Sequence, residues 1–384
     1  MILNPWILGL ALAPDGTIES ASTKWLIALV QLTLIALGTL TIIRRPQITL
    51  PLAGPWTLLL ASIPIGLLAA ELAVRVLPGL DHLHTPPRAV VGEYANRPSL
   101  NFVPDSLTGW RMRPNHEFRW STPEHDAWYR SNAQGFRSAR DFASSVAGRR
   151  IALTGDSFTF GTGVELEQTF GALIEQMRPA YAVYNLAMPG YGIDQMWMSL
   201  RQALLLNPDL AIVAFVDQDF DRSLTAYRRT EGFNKPTFVL EDGELRPQQP
   251  SDRSSRLVWF LERHARVWNA WEFAIENLNR RMRRGDWWSV NSALFRAMDA
   301  DARAAGVPLL FVRIPMATPT DFPALRLLMG KLDASYLDLG APDSVPPYPI
   351  HFAEDGHINA RGHRYVAQRV IAWLDRAFAP GDGR

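Results

Sequence analysis

The sequence predicts an α/β fold, a parallel β-sheet covered by helices on both faces, preceded by two transmembrane helices. Three observations carry this. From residue 149 to 380, short apolar runs alternate with helical patterns. Those runs are apolar without interruption, as strands buried on both faces are. Two uncharged runs near the N-terminus are each about long enough to cross a hydrocarbon core of roughly 30 Å.

The N-terminal runs come first. Trp25–Ile43 is 19 residues without a charge, and Ala53–Ala70 is a second such run. They predict spans over about 25–43 and 53–72, and residues 1–78 read as a membrane anchor. Arg44 and Arg45 lie between them, which puts that loop on the cytoplasmic side. The N-terminus and everything after about residue 75 are then extracytoplasmic, which for a bacterial-type inner membrane means periplasmic. Residues 1–23 carry Asp15 and Glu19 but no Lys or Arg, so the basic region of a cleaved signal peptide is missing. Pro55 and Pro64 should kink or shorten the second span. The apolar piece Ile2–Ala13 is too short to span and suits the interface.

Composition narrows the chemistry. A chain of 384 residues is long enough for a substantial core. The net charge of +1 gives no bulk field for nucleic acid. Cysteine is absent, which excludes disulfides, thiol catalysis and cysteine metal sites. The 13 Trp and 28 Pro suggest ordered loops and aromatic contact surfaces.

Residues 79–148 read as a linker and an extension that packs on the following domain. Leu80–Pro104 is rich in Pro and polar residues. The segments 105–115 (DSLTGWRMRPN) and 131–138 (SNAQGFRS) read as short strands joined by turns, with Gly where a positive φ suits. Trp110, Trp120, Trp128 and Tyr129 either line a sugar or acyl site or plug the loop onto the main domain, and the plug is favoured.

In the domain 149–380, Arg149–Leu153 reads as a strand and Glu167–Met177 as a helix. Ala180–Asn185 is a strand, Asp194–Leu206 a helix and Leu210–Val216 a strand. After an insertion over 221–289 come a helix at Val290–Ala305 and a strand at Pro308–Ile314. Thr320–Leu332 reads as a helix, Ser335–Leu339 as a short strand and Asn359–Phe378 as the closing helix. Ligands in such sheets bind beyond the carboxyl ends of the strands. Ser157, Ala187–Gly192, Asp217–Asp219 and the loop of the 350s all fall there.

Four blocks at those ends carry chemistry. Thr154–Gly163 (TGDSFTFGTG) places Ser157 on a Gly-rich corner between strand and helix, where a hydroxyl is lifted clear of the sheet beside free N–H groups. That position suits a nucleophile for an ester carbonyl. Asn185–Gly192 (NLAMPGYG) offers the N–H of Gly190 to a developing oxyanion. Val216–Asp221 (VDQDFD) offers the side-chain amide of Gln218, while Asp219 suits a cap. Glu354–His363 (EDGHINARGH) supplies His357, a general base with carboxylates beside it.

Together these blocks resemble those of the SGNH/GDSL hydrolases. GDSFTFGTGV is similar to the family's first block, NLAMPG to its second and EDGHIN to its last, over roughly residues 149–378. The two-span anchor and the GWRMRPN and NAQGFRS segments resemble membrane-anchored members. The resemblance implies a three-layer α/β/α sandwich, ester hydrolysis or acyl transfer, and no metal or cofactor. It implies Ser157 as nucleophile, His357 as base, and the N–H groups of Ser157 and Gly190 as oxyanion hole. The family usually has Asn in its third block, where this chain has Gln218, with the same amide on a longer arm. Asp355 is favoured as the triad acid and Glu354 is the alternative. His363 is expected to start or cap the closing helix, and His351 is a further candidate base.

The insertion contains a hairpin at Thr237–Glu244 with an Asp-Gly turn. It also contains a long helical stretch, Arg256–Arg284, with Trp259, Phe260, Trp268, Trp271 and Phe273 before a basic end at Arg280–Arg284. That helix either packs on the domain or forms a lid for sugars, acyl chains or anionic groups. The expected function is a serine esterase or O-acyltransferase acting on an acyl or acetyl ester of an envelope glycan or lipid. The alternative is a catalytically weak SGNH-like domain that binds glycan in a polysaccharide assembly or export system.

Overall fold

The computed structural model describes residues 101–143, 148–228, 233–248, 265–282 and 286–378, with residue 261 and parts of 64–75. The first predicted span, most of the second and nearly all of the linker lie outside the described residues. Among the described residues, no helix is long and apolar enough to cross a membrane. The chain divides into two compact units, residues 1–86 with 252–283, and 87–251 with 284–384.

In the first unit, a helix runs over Arg266–Met282. It covers the later part of the predicted helical stretch, through residue 282; most of the start of that stretch and residues 283–284 of its basic end lie outside the described residues. The carboxylate of Glu71 accepts the N–H groups of Arg266 at 3.0 Å and Val267 at 2.8 Å. A carboxylate on otherwise unpaired N–H groups at a helix start is favourable by hydrogen bonding and by the helix dipole.

The second unit begins with two hairpins. Strands β1 (Phe102–Asp105) and β2 (Gly109–Met112) pair antiparallel, as do β3 (Glu117–Ser121) and β4 (Asp126–Arg130). Strand β5 (Arg149–Gly155) then enters the main sheet. It is followed by the short helix α1 (Ser157–Phe160), helix α2 (Phe170–Met177), strand β6 (Tyr181–Asn185), helix α3 (Ile193–Leu204) and strand β7 (Leu210–Phe215). Next come α4 (Asp219–Arg222), the pair β8 (Tyr227–Arg228) and β9 (Phe233–Asn234), and the hairpin β10 (Thr237–Glu241) and β11 (Glu244–Gln248). Helix α5 (Trp287–Ala304), strand β12 (Leu309–Arg313), helix α6 (Pro323–Met329), strand β13 (Ser335–Asp338) and helix α7 (Ala360–Ala377) complete it.

The main sheet has five strands in the order β13-β12-β7-β5-β6, all parallel. The central strand shows why the runs are continuously apolar. Leu210, Ile212 and Ala214 face one core with α2 and α7; Ala211, Val213 and Phe215 face another with α3, α5 and α6. Because side chains alternate along a strand, two buried faces require an unbroken apolar run. A third core joins the extension to the sheet: Trp110, Tyr129, Phe136 and Phe142 pack with Phe160, Tyr184 and Tyr191.

Three helices differ from expectation at their starts, one of them α5, which begins at Trp287 rather than at Val290. The helix expected over Glu167–Met177 is broken at Thr169, which is extended and whose hydroxyl caps α2 by accepting the N–H of Ala172. Leu166–Gln168 form a separate 3-10 turn. Helix α6 begins at Pro323 rather than at Thr320, because a Pro fits the first turn, where its missing N–H has no helical partner.

Candidate active site

The corner after β5 is built for close approach. A Cβ at Gly155 would lie 2.2 Å from Thr159 Oγ1 and 2.5 Å from the Ala214 carbonyl oxygen, so no side chain fits. Asp156 is buried and caps α1, its carboxylate accepting the N–H of Phe158 at 3.0 Å. Ser157 is therefore held as the first residue of the helix. Its Oγ lies 2.8 Å from His357 Nε2.

His357 comes from the loop before α7. That loop is pinched by a bridge between His351 and Ile358, with Phe352 N–H donating to the His357 carbonyl at 2.9 Å. On the far side of the ring, His357 Nδ1 is hydrogen-bonded to Asp355 Oδ1. With Nδ1–H on the carboxylate, Nε2 is left to accept the serine proton. The hydrogen bond from His357, reinforced by its charge, holds Asp355 down at about 2 against the opposing effect of burial.

Asp355, not Glu354, meets the histidine. Glu354 instead contributes its backbone. The carboxylate of Glu124, between β3 and β4, accepts the N–H groups of Glu354 at 2.9 Å and Asp355 at 2.7 Å. These donors keep Glu124 below its ordinary carboxylate value. The next residue, His125, is buried with its Nε2 3.7 Å from Asp355 Oδ2.

The other two expected histidines lie elsewhere. His351 Nε2 meets the Pro315 carbonyl at 3.0 Å. His363 is buried inside α7 rather than capping it; Asn359 is the cap. His363 Nδ1 accepts the N–H of Phe170 at 3.2 Å, and burial pushes its imidazole down to about 3.

The second block wraps the opposite side. Asn185 donates to the Thr159 carbonyl at 2.9 Å and accepts the Ala187 N–H, tying the loop after β6 to the serine helix. Gly190 has φ +80°, a conformation that costs L side chains strain. Among the described residues, the N–H groups of Ser157 and Gly190 have no protein acceptor. The extension braces this loop. Trp110 Nε1 donates to the Pro189 carbonyl at 3.0 Å, and Tyr191 OH bonds Thr108 Oγ1 at 2.7 Å.

The third block is fixed by its acids. Asp217 binds Arg313 through both oxygens, at 2.7 and 2.6 Å. Asp219 accepts the Val216 N–H at 2.8 Å. Between them Gln218 is exposed, and no hydrogen bond ties it to Ser157 or Gly190. Arg222 Nη1 reaches Asp156 Oδ2 at 3.0 Å and the Tyr191 carbonyl at 3.3 Å. It joins the serine corner to the Gly190 loop.

Sequence reasoning singled out Ser157, His357, Asp355 and Gly190, and missed Glu124, His125, Arg222 and Arg313. Each of these acts across a long chain separation, and none sits in a local pattern that marks it. Arg137, in the NAQGFRS segment, is another. It is fully buried and donates to the carbonyls of Trp128, Phe160, Gly161 and Val164, fixing the loop after the serine helix.

No protein-family model matches the chain, and none of the curated proteins does. Among solved structures, the chain is similar to TesA, with 13% identity and a TM-score of 0.37 over 59% of this chain and 99% of that one. It is similar to a GDSL-like lipase from Bacteroides thetaiotaomicron, with 10% identity and a TM-score of 0.35 over 61% and 92%. It is also similar to a member of the lipolytic G-D-S-L family from Veillonella parvula, with 12% identity and a TM-score of 0.35 over 59% and 98%. In this chain the serine, histidine and aspartate of the first and last sequence blocks meet beyond the ends of a parallel sheet.

Proposed function

We propose that this chain is a serine hydrolase of the SGNH/GDSL type that cleaves or transfers ester-linked acyl groups. The observation that carries the reading is Ser157 Oγ at 2.8 Å from His357 Nε2, with His357 Nδ1 on Asp355. In this reading Ser157 Oγ attacks the ester carbonyl and its proton passes to His357 Nε2. Asp355 stabilises the imidazolium. The N–H groups of Ser157 and Gly190 receive the oxyanion, with the amide of Gln218 as third donor once substrate is bound. His357 then protonates the leaving alkoxide. An incoming water or acceptor hydroxyl, deprotonated by His357, releases the acyl group from Ser157. Hydrolysis and transfer differ only in which of these reaches the acyl-enzyme.

The substrate we assign is an acyl or acetyl ester of an envelope glycan or lipid. Support comes from the two charge-free runs and the Arg44–Arg45 pair, which favour an anchored enzyme facing the periplasm. The test is labelling of the full-length protein with a fluorophosphonate, beside Ser157→Ala. Labelling of the wild type alone is expected. A folded wild type that stays unlabelled overturns the nucleophile assignment and favours a binding role.

A further inference from the structure

The β3–β4 hairpin lies outside the four blocks, yet it reaches the triad acid. Asp355 has two oxygens. Oδ1 takes His357 Nδ1. Oδ2 faces His125 Nε2 at 3.7 Å, an ion-pair separation rather than a hydrogen bond. His125 has little freedom to be elsewhere. Its side chain is 1% exposed, and its ring sits between Trp120, edge-on with centroids 5.5 Å apart, and Phe352, at 5.3 Å. Neither ring nitrogen has a hydrogen-bond partner among the described residues. A buried imidazole with unpaired nitrogens is unfavourable unless a charge or a moving partner compensates it. The adjacent Glu124 fixes the backbone under Asp355.

We propose that His125 is a positioning residue for the triad, holding Asp355 Oδ2 so that Oδ1 stays on His357 Nδ1. Asp355 sits in a turn next to Gly356 and is partly solvent-exposed, so rotation of its carboxylate toward water competes with the bond to His357. A second partner on the other oxygen opposes that rotation. Glu124 sets the height of the main chain and His125 sets the plane of the carboxylate. The extension thereby supplies part of the triad's support, and the sheet domain alone lacks it.

The idea rests on the hydrolase reading, so its test includes a signal that needs no turnover. In the full-length protein, a strongly hydrogen-bonded His357 Nδ1–H gives a far-downfield proton resonance, assigned by its absence in His357→Gln. His125→Phe keeps the ring packing and removes both nitrogens; His125→Gln keeps a donor. The resonance is expected in the wild type and in His125→Gln, and lost or broadened in His125→Phe. For hydrolysis of p-nitrophenyl acetate, kcat per fluorophosphonate-labelled site should fall about 10- to 100-fold in His125→Phe, with KM within about twofold, and recover most of that in His125→Gln. A folded His125→Phe that keeps the resonance overturns the proposal, as does one with wild-type kcat per labelled site. If the resonance behaves as expected but the wild type is never labelled, the hydrolase reading fails and the positioning role stands.

Discussion

Trp110 Nε1 donates to the Pro189 carbonyl at 3.0 Å, linking the extension to the peptide that precedes Gly190. The indole is wholly buried and stacks on Phe233 at 5.9 Å. Its position therefore determines where the Gly190 N–H points. Trp110→Phe keeps the apolar packing in part and leaves the Pro189 carbonyl without its donor. The expected loss is about 2 kcal/mol of stability, from the hydrogen bond and the residual cavity. Activity per labelled site should fall about tenfold, with KM little changed, because a donor displaced from the oxyanion weakens the transition state more than the ground state. Denaturant midpoints and steady-state kinetics read the two effects separately. Unchanged kcat would mean that the loop holds itself.

The two neighbouring carboxylates separate cleanly. Asp355→Asn removes the acceptor for His357 Nδ1–H and allows the wrong tautomer, so kcat should fall by about 10³- to 10⁴-fold, the scale seen in serine triads generally. Among the described residues, Glu354 is held through its N–H, which bonds Glu124, and not through its carboxylate. Glu354→Gln should therefore stay within about twofold of the wild type. Equal losses in both variants would reopen the choice of acid.

That choice illustrates what was legible in the sequence. The strands of the sheet were, because burial on both faces forces unbroken apolar runs such as 210–215. The nucleophile corner and the histidine loop were, because each is a local backbone requirement: no Cβ at Gly155, a turn before α7. Thr169 was not, since a single hydroxyl cap breaks a stretch whose composition is otherwise helical. Glu124 and Arg313 were not, because their partners are set by tertiary contact alone. Asp217 read as part of a candidate oxyanion block, and the structure commits it to Arg313 instead.

His363 predicts a pH dependence of stability. Burial pushes its imidazole from 6.5 down to about 3. Between those values the folded protein keeps it neutral while the unfolded chain binds a proton. The stability from this group is complete above about pH 6.5 and declines as pH falls toward 3, with a limiting slope of about 1.4 kcal/mol per pH unit. His363→Gln retains an acceptor for the Phe170 N–H and does not titrate. Urea midpoints measured at pH 7, 6, 5 and 4 should fall less steeply in the variant. Parallel curves would assign the acid sensitivity to other groups. Asp355, held at about 2, contributes stability in full above about pH 4 and loses it only as pH falls from there toward 2, below the range measured.

Gln218 poses the remaining question about the oxyanion hole. The segment that carries it is fixed on both sides, by Asp217 on Arg313 and by Asp219 on the Val216 N–H. The side chain itself is exposed, and among the described residues no hydrogen bond commits its amide to another group. An amide on a fixed backbone with a free side chain can turn onto a developing oxyanion without breaking an existing bond. Gln218→Ala should then lower kcat about 10- to 100-fold at nearly constant KM, somewhat below the usual cost of a preorganised donor, because the longer arm must be ordered during the reaction. Gln218→Asn shortens the arm and should recover part of the loss if the Cα stands where an asparagine reaches. Stability should change by less than about 0.5 kcal/mol in both variants, as expected for an exposed side chain. If Gln218→Ala keeps full kcat, the hole consists of the Ser157 and Gly190 N–H groups alone.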